Sequence, residues 1–287
     1  MADFPHIREY KEIIMRLCAF ADEASVNLDG QIKALKRNGI GLLEIRGVDG
    51  QNIKDISYEK IKEIKKCLDD SGIGVWSIGS PVGKYNPNDN FDAQLDSFKR
   101  LCEYAELLEA DRIRMFSYFS KNEDEVFARL QALCDVAPKG IVMCHENEKG
   151  IFGDDADSCA KIHAHFPQIR AVFDPANFVQ CEVDTLDAWS KLEKYVDYMH
   201  VKDALPSKRV VRAGYGIGNV EKIISMYAKN GGEVLTLEPH LTEFCGLKAL
   251  ENGESVSTES VYKNEDEAFD AGANALKAIL DKLNLRY

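Results

Sequence analysis

Eight short runs of β-branched and other apolar residues recur about every thirty residues, and this repeat constrains the fold more than any other feature. They are MRLCAF (15–20), LLEIR (42–46), GVWSIG (74–79), RIRMF (112–116), GIVMCHE (140–146), AVFD (171–174), YMHVKD (198–203) and VLTLEP (234–239). Between them lie segments with helical spacing: Leu28, Ile32 and Leu35; Ile61, Ile64 and Leu68; Phe91, Leu95, Phe98 and Leu101; Phe127, Leu130 and Cys134; Leu186, Trp189 and Leu192; Val220, Ile223 and Tyr227. Strands alternating with helices imply a parallel sheet. Eight such units close naturally into a single-domain (β/α)₈ TIM barrel over residues 1–287, an ordinary length for that fold. A doubly wound open sheet is the structural competitor, but FADEASVNLDG follows the first strand where a glycine-rich phosphate loop would stand.

Gly39, Gly72, Gly140 and Gly232 fall just past helices or before strands, where a left-handed residue ends a helix at little cost. Asn122 followed by Glu125 reads as an N-cap, and 264–284 reads as a closing helix with Leu276, Leu280 and Leu283 on one stripe. Two regions exceed the minimal repeat. Residues 1–14 form an N-terminal extension read as a short helix, and 240–263 form a long final loop placed to act as a lid.

A formal charge of −12, from 36 basic and 48 acidic residues, argues against broad attachment to nucleic acid or to an anionic membrane. No stretch approaches the roughly 18 apolar residues of a membrane span, and the first residues lack a signal-peptide layout, so a cytoplasmic location is expected. The eight cysteines lie far apart without a CxxC pair, and they read as reduced core residues.

Barrel active sites are built from groups at the C-terminal ends of strands. The last four apolar runs end in Glu146, Asp174, His200 and Glu238. Each alone has a plain structural reading: Asp174 caps the next segment, a glutamate pairs with an arginine, His200 is a satisfied core histidine. Four successive strands ending this way favour a shared role. Three carboxylates and an imidazole at one mouth would repel each other without a cation, and the donor set suits Mn²⁺ first, with Mg²⁺, Co²⁺ or Zn²⁺ as alternatives.

The motifs HENEKGIFGD (145–154), FDPANF (173–178), HVKDA (200–204) and LEPHL (237–241) resemble those of the xylose-isomerase-like sugar phosphate isomerase/epimerase barrels, which include ketose 3-epimerases and hydroxypyruvate isomerase. The resemblance covers nearly the whole chain from Met15. It implies one divalent metal held by Glu146, Asp174, His200 and Glu238, with Glu146 and Glu238 as acid and base in proton transfer through a metal-bound cis-enediolate. A homo-oligomer is compatible with it. Two positions depart from the ketose 3-epimerase pattern: Asn177 stands where a histidine is usual, and Phe152 where a second glutamate is usual.

Substrate contacts are expected from Asn177, Lys202, Asp203, Arg212, Arg114 and Glu44. His200 and Lys202 share strand parity, as do Glu44 and Arg46, so all four should point inward. An inward Arg114 suits an anionic or polyhydroxyl ligand, or an internal salt bridge, for example to Glu44. Lys84 reads first as a solvated charge, and Trp76, Phe116, Tyr118 and Phe178 mainly as core. The leading function is thus a divalent-metal-dependent sugar isomerase or epimerase acting on a small hydroxy-carbonyl compound. A dehydratase or C-glycoside lyase sharing its opening step is the alternative. An endonuclease IV-like nuclease is disfavoured by only six histidines and an acidic surface, and a non-catalytic sugar-binding barrel by the complete ligand set.

Overall fold

Successive side chains of a strand point to opposite faces, so a strand buried on both sides must be apolar throughout except where a site is being built. The computed structural model, which describes residues 14–86, 88–247 and 261–287, has such strands as its central layer. They are β1 (Arg16–Ala19), β2 (Leu42–Ile45), β5 (Gly74–Gly79), β6 (Arg112–Met115), β7 (Val142–Glu146), β8 (Ile169–Phe173), β9 (Val196–Val201) and β12 (Val234–Leu237). All pair in parallel and close in the order β1-β12-β9-β8-β7-β6-β5-β2, with β2 returning to β1. Two antiparallel pairs, β3 (Gly47–Val48) with β4 (Gln51–Asn52) and β10 (Asp203–Ala204) with β11 (Val210–Val211), follow β2 and β9 at the mouth.

The outer layer comprises α1 (Leu28–Arg37), α2 (Tyr58–Ser71), α3 (Phe91–Leu107), α4 (Glu123–Val136), α5 (Ala156–His165), α6 (Pro175–Gln180), α7 (Thr185–Leu192), α8 (Val220–Lys229) and a closing helix, Glu265–Lys282. Local chemistry sets their starts. Asn27, Ser57, Asn90, Asn122, Asp155, Asp174, Asp184 and Asn264 each accept a backbone N–H in the first turn. The helical stripes expected from spacing are the buried faces, and they form with the outward strand residues one large apolar cluster. A second, smaller cluster fills the barrel's lower interior: Cys18, Cys144, Val172, Tyr198 and Val234.

Several details differ from the sequence expectations. Gly39, Gly72 and Gly140 are left-handed, but beside β12 that role falls to Gly231 rather than Gly232, whose added Cβ would strike the Tyr227 ring at 2.1 Å. The helices α5 and α6 lie where no stripe was recognised: the buried face of α5 is Ala156, Cys159, Ile162 and His163, with a single large aliphatic, and α6 is short and buried on most sides. All eight cysteines are free, yet only Cys18, Cys102, Cys144 and Cys159 are buried; Cys67 and Cys245 are exposed. Of the N-terminal extension only Ile14 is described, bridging Arg286, so the expected helix lies outside the described residues. Of the long final loop, 248–260 lie outside them too.

Candidate functional site

Strand parity carries the interior from apolar at the base to ionisable at the mouth. Val142, Cys144 and Glu146 follow one another inward along β7, as do Tyr198, His200 and Lys202 along and beyond β9, and Val234, Thr236 and Glu238 along and beyond β12. Paired registers keep these ends level: Thr236 stands opposite His200, and Glu146 opposite Val172, two residues before Asp174. Glu146, Asp174, His200 and Glu238 are all buried, and one donor atom from each lies within 4.8 Å of the others.

The donor geometry fits one divalent ion. His200 Nδ1 is 3.1 Å from a Glu146 oxygen and 3.4 Å from a Glu238 oxygen, without hydrogen-bond alignment to either. Asp174 Oδ2 is 2.9 Å from Lys202 Nζ, again misaligned, so two buried donors face the same space without a hydrogen-bond partner. The other side of each group is fixed. His200 Nε2 faces Glu44 at 3.2 Å, Asp174 Oδ1 accepts the Asn177 N–H that starts α6, and Asn177 Nδ2 donates to Glu146 Oε1 at 3.2 Å. A carboxylate behind a ligand histidine orients its ring and sets its tautomer.

Electrostatics follow from this burial. Burial pushes the Asp174 carboxyl up to about 7, against the pull of Lys202, with Glu238 and Glu146 adding to the rise. Glu238 is held well below the usual carboxylate range because Lys202, His240 and His200 together outweigh its burial. Burial alone would lower the His200 imidazole, but Glu146 and Glu44 outweigh it and raise it. Burial also lifts Glu23 to about 8.

Beside the donors lies a cavity of about 420 Å³ whose wall includes Asp22, Arg46, Gln51, Asn52, Lys84 and Arg114. Two wall arginines reach the donor cluster: Arg46 Nη1 donates to Glu238 at 2.9 Å, and Arg114 Nε lies 3.2 Å from Glu146. Both readings of Arg114, cavity wall and internal ion pair, therefore coexist, though its nearer acid is Glu146; Glu44 is 3.9 Å away. Lys84 is a correction to the solvated-charge reading: it is nearly enclosed, 2.6 Å from Glu148, with its ammonium over Phe116. Phe116, Tyr118 and Phe178 are buried as expected, whereas Trp76 lies at the barrel's other end between Arg16 and Arg112.

The remaining expected contacts are placed differently. Glu44 is fully buried beneath His200, with Tyr198 donating to its second oxygen at 2.8 Å. Asp203 accepts backbone N–H groups from Ala204, Gly214, Gly216 and Gly218, so it organises the loop after β9. A Cβ on Gly216 would meet the Ala204 carbonyl at 2.3 Å, which is why that loop needs glycine there. Arg212 stacks on Tyr215 in the same loop, outside the cavity wall. Sequence reasoning passed over Asp22, Glu23 and Glu148; Asp22 and Glu23 lie in the short turn just past β1, the same strand-end signal that exposed the donors.

Solved structures share this architecture. An L-ribulose 3-epimerase superimposes with a TM-score of 0.75 at 15% identity, covering 94% of this chain and 96% of the other. The IOLI protein with a binding zinc atom gives 0.72 at 15% identity, covering 94% and 99%. The probable 3-DHS dehydratase AsbF from Bacillus anthracis gives 0.68 at 17% identity, covering 92% and 99%. At these identities the likeness is one of fold, and no curated protein sequence matches the chain. The model of the xylose isomerase-like TIM barrel family matches residues 32–284, well over half of the chain, and the chain therefore belongs to that family.

Proposed function

We propose that the protein is a divalent-metal-dependent isomerase or epimerase of a sugar-like hydroxy-carbonyl compound, with Glu146 and Glu238 as its proton-transfer pair. One observation carries this reading. The two glutamates flank His200 from strands separated by β8 and β9, and each is backed by an arginine of the cavity wall. Glu146, Asp174, His200 and Glu238 would hold the ion, Mn²⁺ by first preference, which when bound polarises a hydroxy-carbonyl unit and acidifies the neighbouring C–H.

The chain's own residues do the rest. One glutamate takes the proton from carbon, and the other returns a proton from the opposite side, inverting the centre; return to the adjacent carbon gives the isomer. Arg46 and Arg114 fix the two carboxylates, and Lys202 balances Asp174 and Glu238. Glu44 positions His200, and Asn177 positions Glu146. Elimination from the same opening step is the runner-up, consistent with a probable dehydratase among the structural relatives. The test is a panel of ketoses, aldoses and inososes with Mn²⁺ in deuterated water, followed by mass spectrometry. The reading expects a product of unchanged composition that gains solvent deuterium at carbon. Loss of water favours the dehydratase, and turnover without deuterium uptake removes the glutamate pair from the reaction.

A further inference from the structure

We infer that the substrate carries no charge, a free polyhydroxylated carbonyl compound rather than a sugar phosphate or sugar acid; this rests on the proposed function above. A site for a phosphate or carboxylate needs a cation whose charge is not already spent within the protein. Among the described residues, each cation lining the cavity is already matched. Arg46 donates to both oxygens of Asp22 at 2.9 and 3.0 Å, and to Glu23 and Glu238 at 3.1 and 2.9 Å. Arg114 donates to the Ser80 carbonyl at 2.8 Å and lies 3.2 Å from Glu146. Lys84 is 2.6 Å from Glu148, and Lys54 at the rim is 2.8 Å from Asp55. Lys202, deeper in the mouth, lies 2.9 Å from Asp174. Arg212 stands outside the lining.

The sum points the same way. The acids paired here, other than the rim Asp55, are Asp22, Glu23, Glu146, Glu148, Asp174 and Glu238; Glu44 joins them under His200. Among the described residues those seven carboxylates outnumber the four cations Arg46, Lys84, Arg114 and Lys202 that face them. A phosphate dianion would thus enter a buried region whose described cations are already matched by carboxylates, a placement that weakens the binding of an uncompensated ion. A neutral polyol adds no charge, and its hydroxyls can donate to the Asp22 and Asp55 carboxylates and the Asn52 and Gln51 amides of the wall. About 420 Å³ is within the usual range for a small-molecule pocket.

The test is calorimetry on the full-length, Mg²⁺-loaded protein with D-fructose, L-ribulose and D-glucose, each beside its terminal phosphate. At least one free sugar should bind, with its phosphate at least ~10-fold weaker. Glu148→Gln removes the carboxylate beside Lys84 and Asp55→Asn the one beside Lys54, so each should narrow that gap by ~3-fold or more; the second is an exposed change that leaves the core intact. A phosphate binding as tightly as its free sugar, no binding by any free sugar, or a gap unchanged in both variants would overturn the inference. Free-sugar binding with the expected preference but no deuterium uptake at carbon would instead sink the proton-transfer reading and leave this one standing.

Discussion

On one half of the barrel mouth, β7, β8, β9 and β12 end in groups that donate electron pairs: Glu146, Asp174, His200 and Glu238. On the other half, β2 and β6 present Arg46 and Arg114 from the same inward parity, beside the acids Asp22 and Glu23 that follow β1. The first half carries more negative charge than its own Lys202 can balance, and Arg46 and Arg114 of the second half supply the rest. Arg46 reaches Glu238 and Arg114 reaches Glu146, so the two glutamates are where the halves meet. The division teaches that Glu146 and Glu238 are held from both halves at once, by Arg46 and Arg114 on one side and by Asn177 and Lys202 on the other.

The largest effect expected from breaking this arrangement is at the glutamates. Glu146→Gln and Glu238→Gln preserve shape but remove the proton acceptor or donor, so kcat should fall by ~10²–10⁴-fold in each. Deuterium wash-in and net turnover should separate in at least one of the two, because a single remaining base still exchanges the C–H proton. Variants that both turn over within a few-fold of the parent would take these residues out of the reaction.

Arg46→Ala attacks the opposite half. It leaves Asp22, Glu23 and Glu238 facing one another in a buried space, and breaking such a network should cost about 3–5 kcal/mol in denaturant unfolding. An effect under about 1 kcal/mol would show that the arginine is not what makes the acidic half tolerable.

Acid should loosen the donor half through its buried imidazoles. His163, on α5 behind β7 and β8, is lowered from 6.5 to about 4 by burial. A folded value below the unfolded one means that the unfolded chain takes the proton first as pH falls. The stability this group contributes is therefore complete above about pH 6.5 and is lost down to about pH 4, about 3 kcal/mol in all. Denaturation of the parent and of His163→Asn at pH 7 and pH 4.5 should show the smaller acid loss in the variant. Equal losses would assign the acid sensitivity elsewhere.

A subtler effect belongs to Glu44, the one residue of the cationic half that reaches under the donors. Glu44→Gln weakens the group that orients His200, so divalent-metal affinity should drop ~10–100-fold while the fold survives. An unchanged affinity would make Glu44 a packing residue.

The donor half was legible in the sequence because its signal is local. Each candidate donor is the last residue of its strand or stands next to it, and 2-residue periodicity alone orients it. Arg46, Arg114 and Glu44 could be placed inward by the same rule, but what each touches depends on strands up to 192 residues away in sequence, as between Arg46 and Glu238. No periodicity carries that information. Lys84 misled for the same reason: its loop looks solvent-facing until Glu148, from the segment after β7, closes over it. Helix α6 escaped because burial on several sides erases the amphipathic stripe, and α5 because its buried face is made of Ala156, Cys159, Ile162 and His163, only one of them a large aliphatic, although Asp155 and Asp174 stood in plain view as caps.

The central claim is that Glu146, Asp174, His200 and Glu238 act as one metal site, and a binding stoichiometry tests it most directly. Metal-stripped parent, Asp174→Ala and His200→Ala proteins would be equilibrated with Mn²⁺, freed of excess ion and assayed by elemental analysis, with circular dichroism to check the fold. The account predicts about one Mn²⁺ per parent chain and a loss of most of it in both folded variants, since each removes a donor from a four-donor set. Full metal content in both variants would contradict it.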